Sequence, residues 1–447
     1  MWIAEGFIRK QEGLSLEETA QNYVEDLINR HLVVVGQYSL DGKVKTCRVH
    51  EMLHDFCKIQ ATKENVLQEI KFKNGVFEPP ISELPHYHRL CIHSCVLDFL
   101  QSKPHGPSVR SLVSFSSDEV NLPSVTISTI YAAFEAVRIL DVKPSSDMYR
   151  LLHLRYLSLS CTLSVLPAHF SKLSNLQTLI VDTTSFTLED KANILNFVQL
   201  RHFKTNATVS LPRVSNTRQE AENLQTLGLI SPESCTEKNL GRAPNLKKLG
   251  IRGRLSLLMD GKEDSFECVG RLAYLEKLKL SNYAYPHSPL ADPVRNLPPG
   301  YKFPPRLRSL TLSKTSLDWS QMHVLGSLEE LKVLKLKDNA FVGDTWVTGD
   351  GGFRNLEGLH IKLTDLVIWV TSANHFPKLK HLELYNCNKL KEVPIELADI
   401  LSLQRLKLFR VDLAVASAKR IHKRKHRKDI AFELSIFDPK AVGLPLH

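Results

Sequence analysis

The chain has 447 residues, 43% of them hydrophobic and 24% charged, which rules out wholesale disorder and leaves room for two or three domains or one elongated array. No stretch approaches the roughly eighteen uninterrupted apolar residues of a membrane helix, and Met1 to Glu5 lacks the basic region and apolar core of a secretory signal. The eight cysteines are therefore expected as thiols in a reducing compartment, and the net charge of +10 predicts attraction to an acidic partner.

Residues 1–70 read as one domain. Ser15 with Glu18 three residues on makes a capping box, and Ala20, Tyr23, Val24, Leu27 and Ile28 fall on one face of the helix it opens. His31 to Leu40 and Lys43 to Val49 are β-prone and flank the turn pair Asp41-Gly42, a hairpin signal. A second amphipathic helix is predicted from about His50, with Met52, Leu53, Phe56 and Ile59 apolar. Helix, hairpin and helix in this order indicate a winged-helix fold.

Residues 71–105 are expected to link this domain to a long periodic region. His86, His88, Cys91, His93 and Cys95 crowd one stretch and are metal-ligating types, but they lack the separated pairs of a structural zinc site. The same stretch reads as a strand with Leu90 and Ile92 inward, and no metal is expected.

From residue 106 to about 410 the sequence is periodic. L-x-x-L-x-L, with some aliphatic replacements, starts at Leu154, Leu176, Leu224, Leu246, Leu275, Leu307, Leu331, Leu356, Leu379 and Leu403, with a degenerate copy at Leu200 and weaker ones at Val109 and Val137. Most gaps are those of leucine-rich repeats, in which each copy supplies one short strand and stacked neighbours share a core. The longer gaps before Leu275 and Leu307 read as loop insertions, marked by Pro286, Pro289, Pro293, Pro298 and Pro299. At the copy from Leu331, Leu334 and Leu336 turn inward while Val333, Lys335 and Lys337 turn outward. The ninth position, which bonds turn backbone in such repeats, holds Asn339, Cys387, Thr162, Thr184 or Thr315, so Cys387 reads as structural. Residues 411–447 are taken as a basic tail, with Lys419 to Lys428 a solvated run rather than a nucleic-acid patch. The fold class is thus α/β: a winged helix followed by a leucine-rich-repeat solenoid, a curved parallel β-sheet horseshoe.

The N-terminal segments carry a more specific signal. Met1 to Ile8 (MWIAEGFI), Thr19 to Leu27, Cys47 to Cys57 (CRVHEMLHDFC) and the R-L-C-I-H-S stretch from Arg89 resemble plant nucleotide-binding leucine-rich-repeat disease resistance receptors of the late blight resistance type. The resemblance covers essentially the whole chain. It implies that Val49, His50 and Glu51 match the family's Met-His-Asp motif, whose histidine approaches the β-phosphate of bound ADP in the off state. Glu51 stands where the family has aspartate, which moves the carboxylate by one methylene. G-x-x-x-x-G-K-[ST] does not occur in these residues, so the expectation is a C-terminal part of a receptor that holds no cofactor itself, ADP or ATP belonging to the full-length relatives.

By resemblance, the repeats recognise a pathogen effector or a guarded host protein and also pack on the receptor's own nucleotide-binding module to restrain signalling. The register predicts a basic protein-binding stripe on the concave face: Lys248, Arg252, Lys277, Lys279, Lys335, Lys337, Lys362, Arg405 and Lys407, with Glu383 the one acid at corresponding positions. A leucine-rich-repeat adaptor of ubiquitin ligases is the alternative, disfavoured by the helix–hairpin–helix start. A winged-helix nucleic-acid binder is disfavoured because the helix after His50 sets Glu51 and Asp55 against His54 and Lys58. G-x-S-x-G and H-E-x-x-H are absent and no enzyme is expected. The cytoplasm is the expected location, with the membrane periphery or the nucleus as alternatives.

Overall fold

A computed structural model describes residues 1–115, 130, 132–142, 151–212, 220–259, 266–283, 293–349, 352–427 and 431–437. It divides into two compact units, Met1–Tyr38 with Val44–Leu229, and Ser39–Lys43 with Ile230–His447.

The first unit opens on the winged-helix elements. Helix α1 (Trp2–Glu5) stops at Gly6, whose φ of 87° suits a residue without Cβ. Helix α2 (Leu16–Asn29) begins at the expected capping box: the Ser15 hydroxyl accepts from Glu18 N–H while the Glu18 carboxylate accepts from Ser15 N–H. Strands β1 (Val33–Tyr38) and β2 (Val44–Val49) pair antiparallel around the Asp41-Gly42 turn, and helix α3 (Glu51–Lys63) comes next. The expected apolar faces behave differently. In α2, Ala20, Tyr23, Val24, Leu27 and Ile28 are half-buried and Thr19 is fully covered. In α3 no residue is buried, and Met52, Phe56 and Ile59 are 83%, 63% and 56% exposed.

The repeat strands of this unit form a parallel ladder over Gln68–Lys73, Arg89–Ile92, Ser111–Ser114, Ile139–Val142, Tyr156–Cys161, Thr178–Thr183, His202–Thr205 and Thr226–Ile230. The ladder starts at Gln68, ahead of the expected boundary at 106, because Leu90 and Ile92 already point into the shared core as predicted. Cys91 and His93 lie on that strand and just after it. Among the described residues no cluster of metal-ligating side chains forms.

The second unit repeats the pattern over Lys248–Gly253, Lys277–Asn282, Ser309–Ser313, Val333–Lys337, Gly358–Lys362, His381–Tyr385, Arg405–Phe409 and Glu433–Phe437. Leu334 and Leu336, assigned inward, are buried, and so are Leu278, Leu310, Leu382 and Leu406 at the equivalent positions. Val333, assigned outward, is also buried, at 4% exposure. Lys314, Asp338, Leu363, Asn386 and Arg410, each directly after a strand, take a left-handed φ between 52° and 56°. All five N–H groups reach the neighbouring repeat: Asp338 donates to Lys362, Leu363 to Tyr385 and Asn386 to Phe409 at 2.8–2.9 Å, Lys314 to Lys337 at 3.2 Å and Arg410 to Phe437 at 3.3 Å. An otherwise unfavoured backbone is thereby held by a bond to the next copy.

The ninth-position reading holds for Thr315 and Cys387 and not for Thr184, Asn339 and Thr162, the last of which is exposed. Thr315 is fully buried and donates to Ala340 O at 2.6 Å, and buried Cys387 donates to the Tyr385 and Ile361 carbonyls. Burial pushes the Cys387 thiol up to about 12, consistent with a structural rather than reactive group. Thr184 is exposed, and its neighbour Thr183 makes the bond, to Leu163 O at 2.7 Å. Asn339 is not buried and contributes its left-handed backbone.

The expected tail from residue 411 instead forms a further repeat. The Val415–His426 helix packs beneath a last strand, Glu433–Phe437, which pairs parallel with Arg405–Phe409. Lys425, assigned to the solvated run, is fully buried: its ammonium donates to Ile400 O at 2.6 Å and lies 5.5 Å from the centre of the Phe432 ring. Lys428, the end of that run, lies outside the described residues, as do Pro286 and Pro289. Pro293, Pro298 and Pro299 fall in the irregular segment before the strand at Ser309, as the insertion reading requires.

On the flank of the second unit, Trp346 stacks on Trp319 at 5.1 Å and on Trp369 at 4.9 Å, with Phe376 edge-on at 6.1 Å. Trp346 is completely buried, so its removal leaves a cavity that two neighbouring repeats line. Trp346→Ala is expected to lower the stability of the second unit by about 3–5 kcal/mol. Guanidinium unfolding followed by tryptophan fluorescence will read this as a lower midpoint; an unchanged midpoint contradicts it.

Candidate functional site: the open face of the repeat sheet

Alternating strand residues emerge on one sheet face, and the pairing register arranges the predicted stripe in rows. One row runs Lys248, Lys277, Ser309, Val333, Gly358, His381, Arg405, Glu433. The next runs Lys279, Thr311, Lys335, His360, Glu383, Lys407. A third runs Arg252, Ser281, Ser313, Lys337, Lys362, Tyr385, Phe409, Phe437. All nine predicted cations therefore share this face, as the register required.

They are not equivalent. Lys277 donates to the Asp41 carboxylate at 3.2 Å, Arg405 to Glu433 at 2.9 Å, and Lys407 sits over the Tyr385 and Phe437 rings at 5.5 and 5.1 Å. Glu433 is a second acid on the face, beyond the repeat boundary of 410 that the leucine pattern predicts. Glu383 bonds His360 at 3.0 Å; burial raises its carboxyl, but His360 and the charges of Lys407 and Lys335 outweigh that and hold it low. Lys279 and Lys335 lie below the usual lysine range, first through burial and then through like charges, Lys337 and Arg252 on Lys279, and Lys337 and Lys277 on Lys335.

In the first unit the equivalent face is already occupied by winged-helix carboxylates. Glu5, whose side chain is only 6% exposed, takes a bidentate bond from Arg89 at 3.0 and 3.1 Å and a further bond from the Ser111 hydroxyl. The Phe7 ring lies 4.7 Å beneath the same guanidinium. Glu17, in the first turn of α2, is held by Arg201 at 2.6 and 2.5 Å, by Gln225 at 3.0 Å and by His202 at 3.2 Å. Burial works to raise the Glu17 carboxyl, yet these bonds and the Arg201 charge hold it far below the usual carboxylate range. The predicted stripe begins at the Leu246 copy; carrying the same register back to the Leu200 and Leu224 copies brings His202 to this face and Arg201 and Gln225 beside it. Nothing in the sequence marks Glu5 and Glu17 as their partners.

The motif residues Val49, His50 and Glu51 sit together at the start of α3, all exposed. His50 is the helix N-cap, its Nδ1 accepting from Met52 N–H at 3.3 Å. Two stretches that carried the family resemblance meet directly: Glu5 of MWIAEGFI is the partner of Arg89 of R-L-C-I-H-S.

A family model for the disease resistance protein winged helix domain matches residues 1–57, and one for a leucine-rich repeat region matches 108–431. A putative late blight resistance protein homolog from Solanum demissum is 31% identical over 450 residues, covering 94% of this chain and 55% of that protein. A late blight resistance protein from the same species is 30% identical over 431 residues, covering 90% of this chain and 32% of that protein. The chain thus spans between about a third and about half of these relatives. A leucine-rich-repeat protein of Leptospira interrogans superposes with a TM-score of 0.41 at 17% identity, over 84% of this chain and 98% of that one. The chain belongs to the leucine-rich-repeat proteins, in the class that carries a disease-resistance winged helix. Within that class it is a homologue of the late blight resistance proteins of plants.

Because Glu17 is held low in the folded state, its contribution is complete above the unfolded glutamate value of about 4.3 and is lost as pH falls below it. Glu17→Gln is expected to melt below the parent at pH 7, with the gap closing towards pH 3. Thermal unfolding at the two pH values checks this; a gap of equal size at both would mean that the ionised carboxylate does not carry the contact.

Proposed function

We propose that this chain is the recognition and restraint part of a plant immune receptor. Its repeats bind protein partners on the open sheet face, a pathogen effector or guarded host protein among them, and also hold the winged helix and the adjoining nucleotide-binding module in an off state. The observation that carries the reading is the pair of carboxylate clamps, Glu5 on Arg89 and Ser111, and Glu17 on Arg201, His202 and Gln225. Such contacts give the repeats a differential grip on one arrangement of the winged helix, which a two-state switch requires. The exposed apolar residues of α3, Met52, Phe56 and Ile59, fit a surface that the nucleotide-binding module covers. His50, with one ring nitrogen committed to capping α3, offers the other towards an ADP phosphate in this reading, with Glu51 in the first turn beside it.

The clamp is tested by charge reversal in a receptor that carries this chain behind a nucleotide-binding module. Glu17→Arg or Arg201→Glu alone is expected to give cell death without effector after transient expression in leaf tissue, and the double exchange to restore quiescence. If the single variants stay silent while protein accumulates normally, the restraint reading fails.

The nucleotide is expected to need the module that carries the phosphate-cradling loop, since that motif is absent from these 447 residues. Isothermal titration of the chain alone with ADP should give no stoichiometric signal at micromolar affinity. Such a signal would overturn the assignment of nucleotide binding to the adjoining module.

A further inference from the structure

The open face of the second unit is divided along its length. Towards its first strands stand Lys279, Lys335 and Lys337 with the hydroxyls of Ser281 and Thr311 between them; towards its last strands the same row that holds Lys337 and Lys362 continues as Tyr385, Phe409 and Phe437. Neighbouring strands lie about 4.8 Å apart, so Lys337 stands about 10 Å from Tyr385 and about 19 Å from Phe437. The aromatic part keeps exposed surface although Lys407 lies over the Tyr385 and Phe437 rings and Arg410 over Phe409: Tyr385 and Phe409 are half-buried and Phe437 is 49% exposed. The acids that face the lysines are few and engaged: Asp41 accepts from Lys277, Asp338 from Ser313, and Glu383 is bonded to His360.

The face already accepts a polypeptide turn at one edge. Within the second unit, Asp41 reaches Lys277, and Leu40 lies so close to Gly358 that a Cβ there would meet the Leu40 Cβ and carbonyl at 2.9 Å. One carboxylate and one leucine from a short segment thus use a lysine of one strand and the bare backbone of another. The lysine field and the aromatic row beside it offer the same two chemistries, charge and apolar surface, over a longer stretch of the face.

We propose that this face binds an extended acidic–aromatic segment of a partner protein, its carboxylates on Lys279, Lys335 and Lys337 and its aromatic side chains on Tyr385, Phe409 and Phe437. The inference rests on protein recognition by the repeat face and adds the chemistry of the partner. An extended chain advances about 3.3 Å per residue, so about three residues separate the last carboxylate from the first aromatic group. Burial and mutual repulsion, which already disfavour the charged lysines, give a carboxylate there more to gain than at an isolated surface lysine. A partner lacking aromatic groups would leave the second half of the row uncovered, and an apolar partner would leave the lysines uncompensated.

The probe is a fluorescein-labelled synthetic peptide, DEDEGSGFWL, titrated with the whole chain by anisotropy against DEDEGSGSGS and GSGSGSGFWL. The composite peptide is expected to bind at least tenfold more tightly than either control. Lys335→Glu with Lys337→Glu, and separately Tyr385→Ser with Phe409→Ser, should each weaken it tenfold or more. A salt titration of the unmodified chain needs no variant: raising salt should abolish binding of DEDEGSGSGS while DEDEGSGFWL retains a residual affinity. The proposal is overturned if the two acidic peptides bind equally, if the aromatic substitutions leave affinity unchanged in folded protein, or if heparin competes as well as the composite peptide, which marks a plain polyanion surface. It is also overturned if none of the peptides binds. Association with the separately produced nucleotide-binding half, measured on the same preparation, shows whether protein recognition itself stands when the peptide result is negative.

Discussion

Everything in this chain depends on the fact that no repeat completes its own backbone bonds. A strand of four to six residues has neither the area to bury its leucines nor a partner for its amide groups, and both come from the copies on either side. The turns after five strands of the second unit make the dependence strict. Asp338, Leu363 and Asn386 occupy a left-handed backbone that leucine in particular does not favour, and each is held by a bond to the last strand residue of the next repeat. The repeat that holds the Glu433–Phe437 strand obeys the same logic. Its helix uses a lysine, Lys425, to satisfy the carbonyl of Ile400 and lays that lysine's stem in the core.

That regular frame explains how the face is built. Inward and outward side chains alternate along each strand, so whatever stands outward in one copy lies beside its counterpart in the next. Charges therefore accumulate in rows rather than scatter, and two neighbouring stretches of sequence can read as unrelated while forming one surface. The winged helix uses the same surface in the first unit. Its two carboxylates come from α1 and α2, and each meets a guanidinium in a two-point geometry that a lysine cannot reproduce.

Much of this is legible in the sequence because it is local or periodic. The Ser15–Glu18 capping box, the Asp41-Gly42 hairpin and the inward leucines from Leu154 to Leu408 depend on neighbours a few residues away or on spacing alone. The residues that cannot be read are those whose meaning lies in a partner far along the chain. Glu5 and Arg89 are each ordinary until the fold sets them together. Lys425 reads as one more cation in a basic run, since burial by a preceding repeat leaves no trace in composition. The end of the repeats is misplaced by the leucine pattern because the last strand, Glu433–Phe437, lacks its leading leucine and is recognised only by its pairing. The aromatic row is hidden for a related reason: Tyr385, Phe409 and Phe437 are spaced by whole repeats and become neighbours only across the sheet.

The separation of inward from outward positions also has a bearing on how such a protein changes over generations. A substitution at Lys335 or Tyr385 meets solvent or a partner, while the leucines on either side keep their core contacts untouched. Outward side chains can therefore be exchanged one at a time with little loss of stability. Arg89, Arg201 and Gln225 do not share that freedom, because each is answered by a winged-helix carboxylate that its exchange would deprive of a partner. The same strand geometry thus leaves some outward positions open to exchange and ties others to a residue far along the chain.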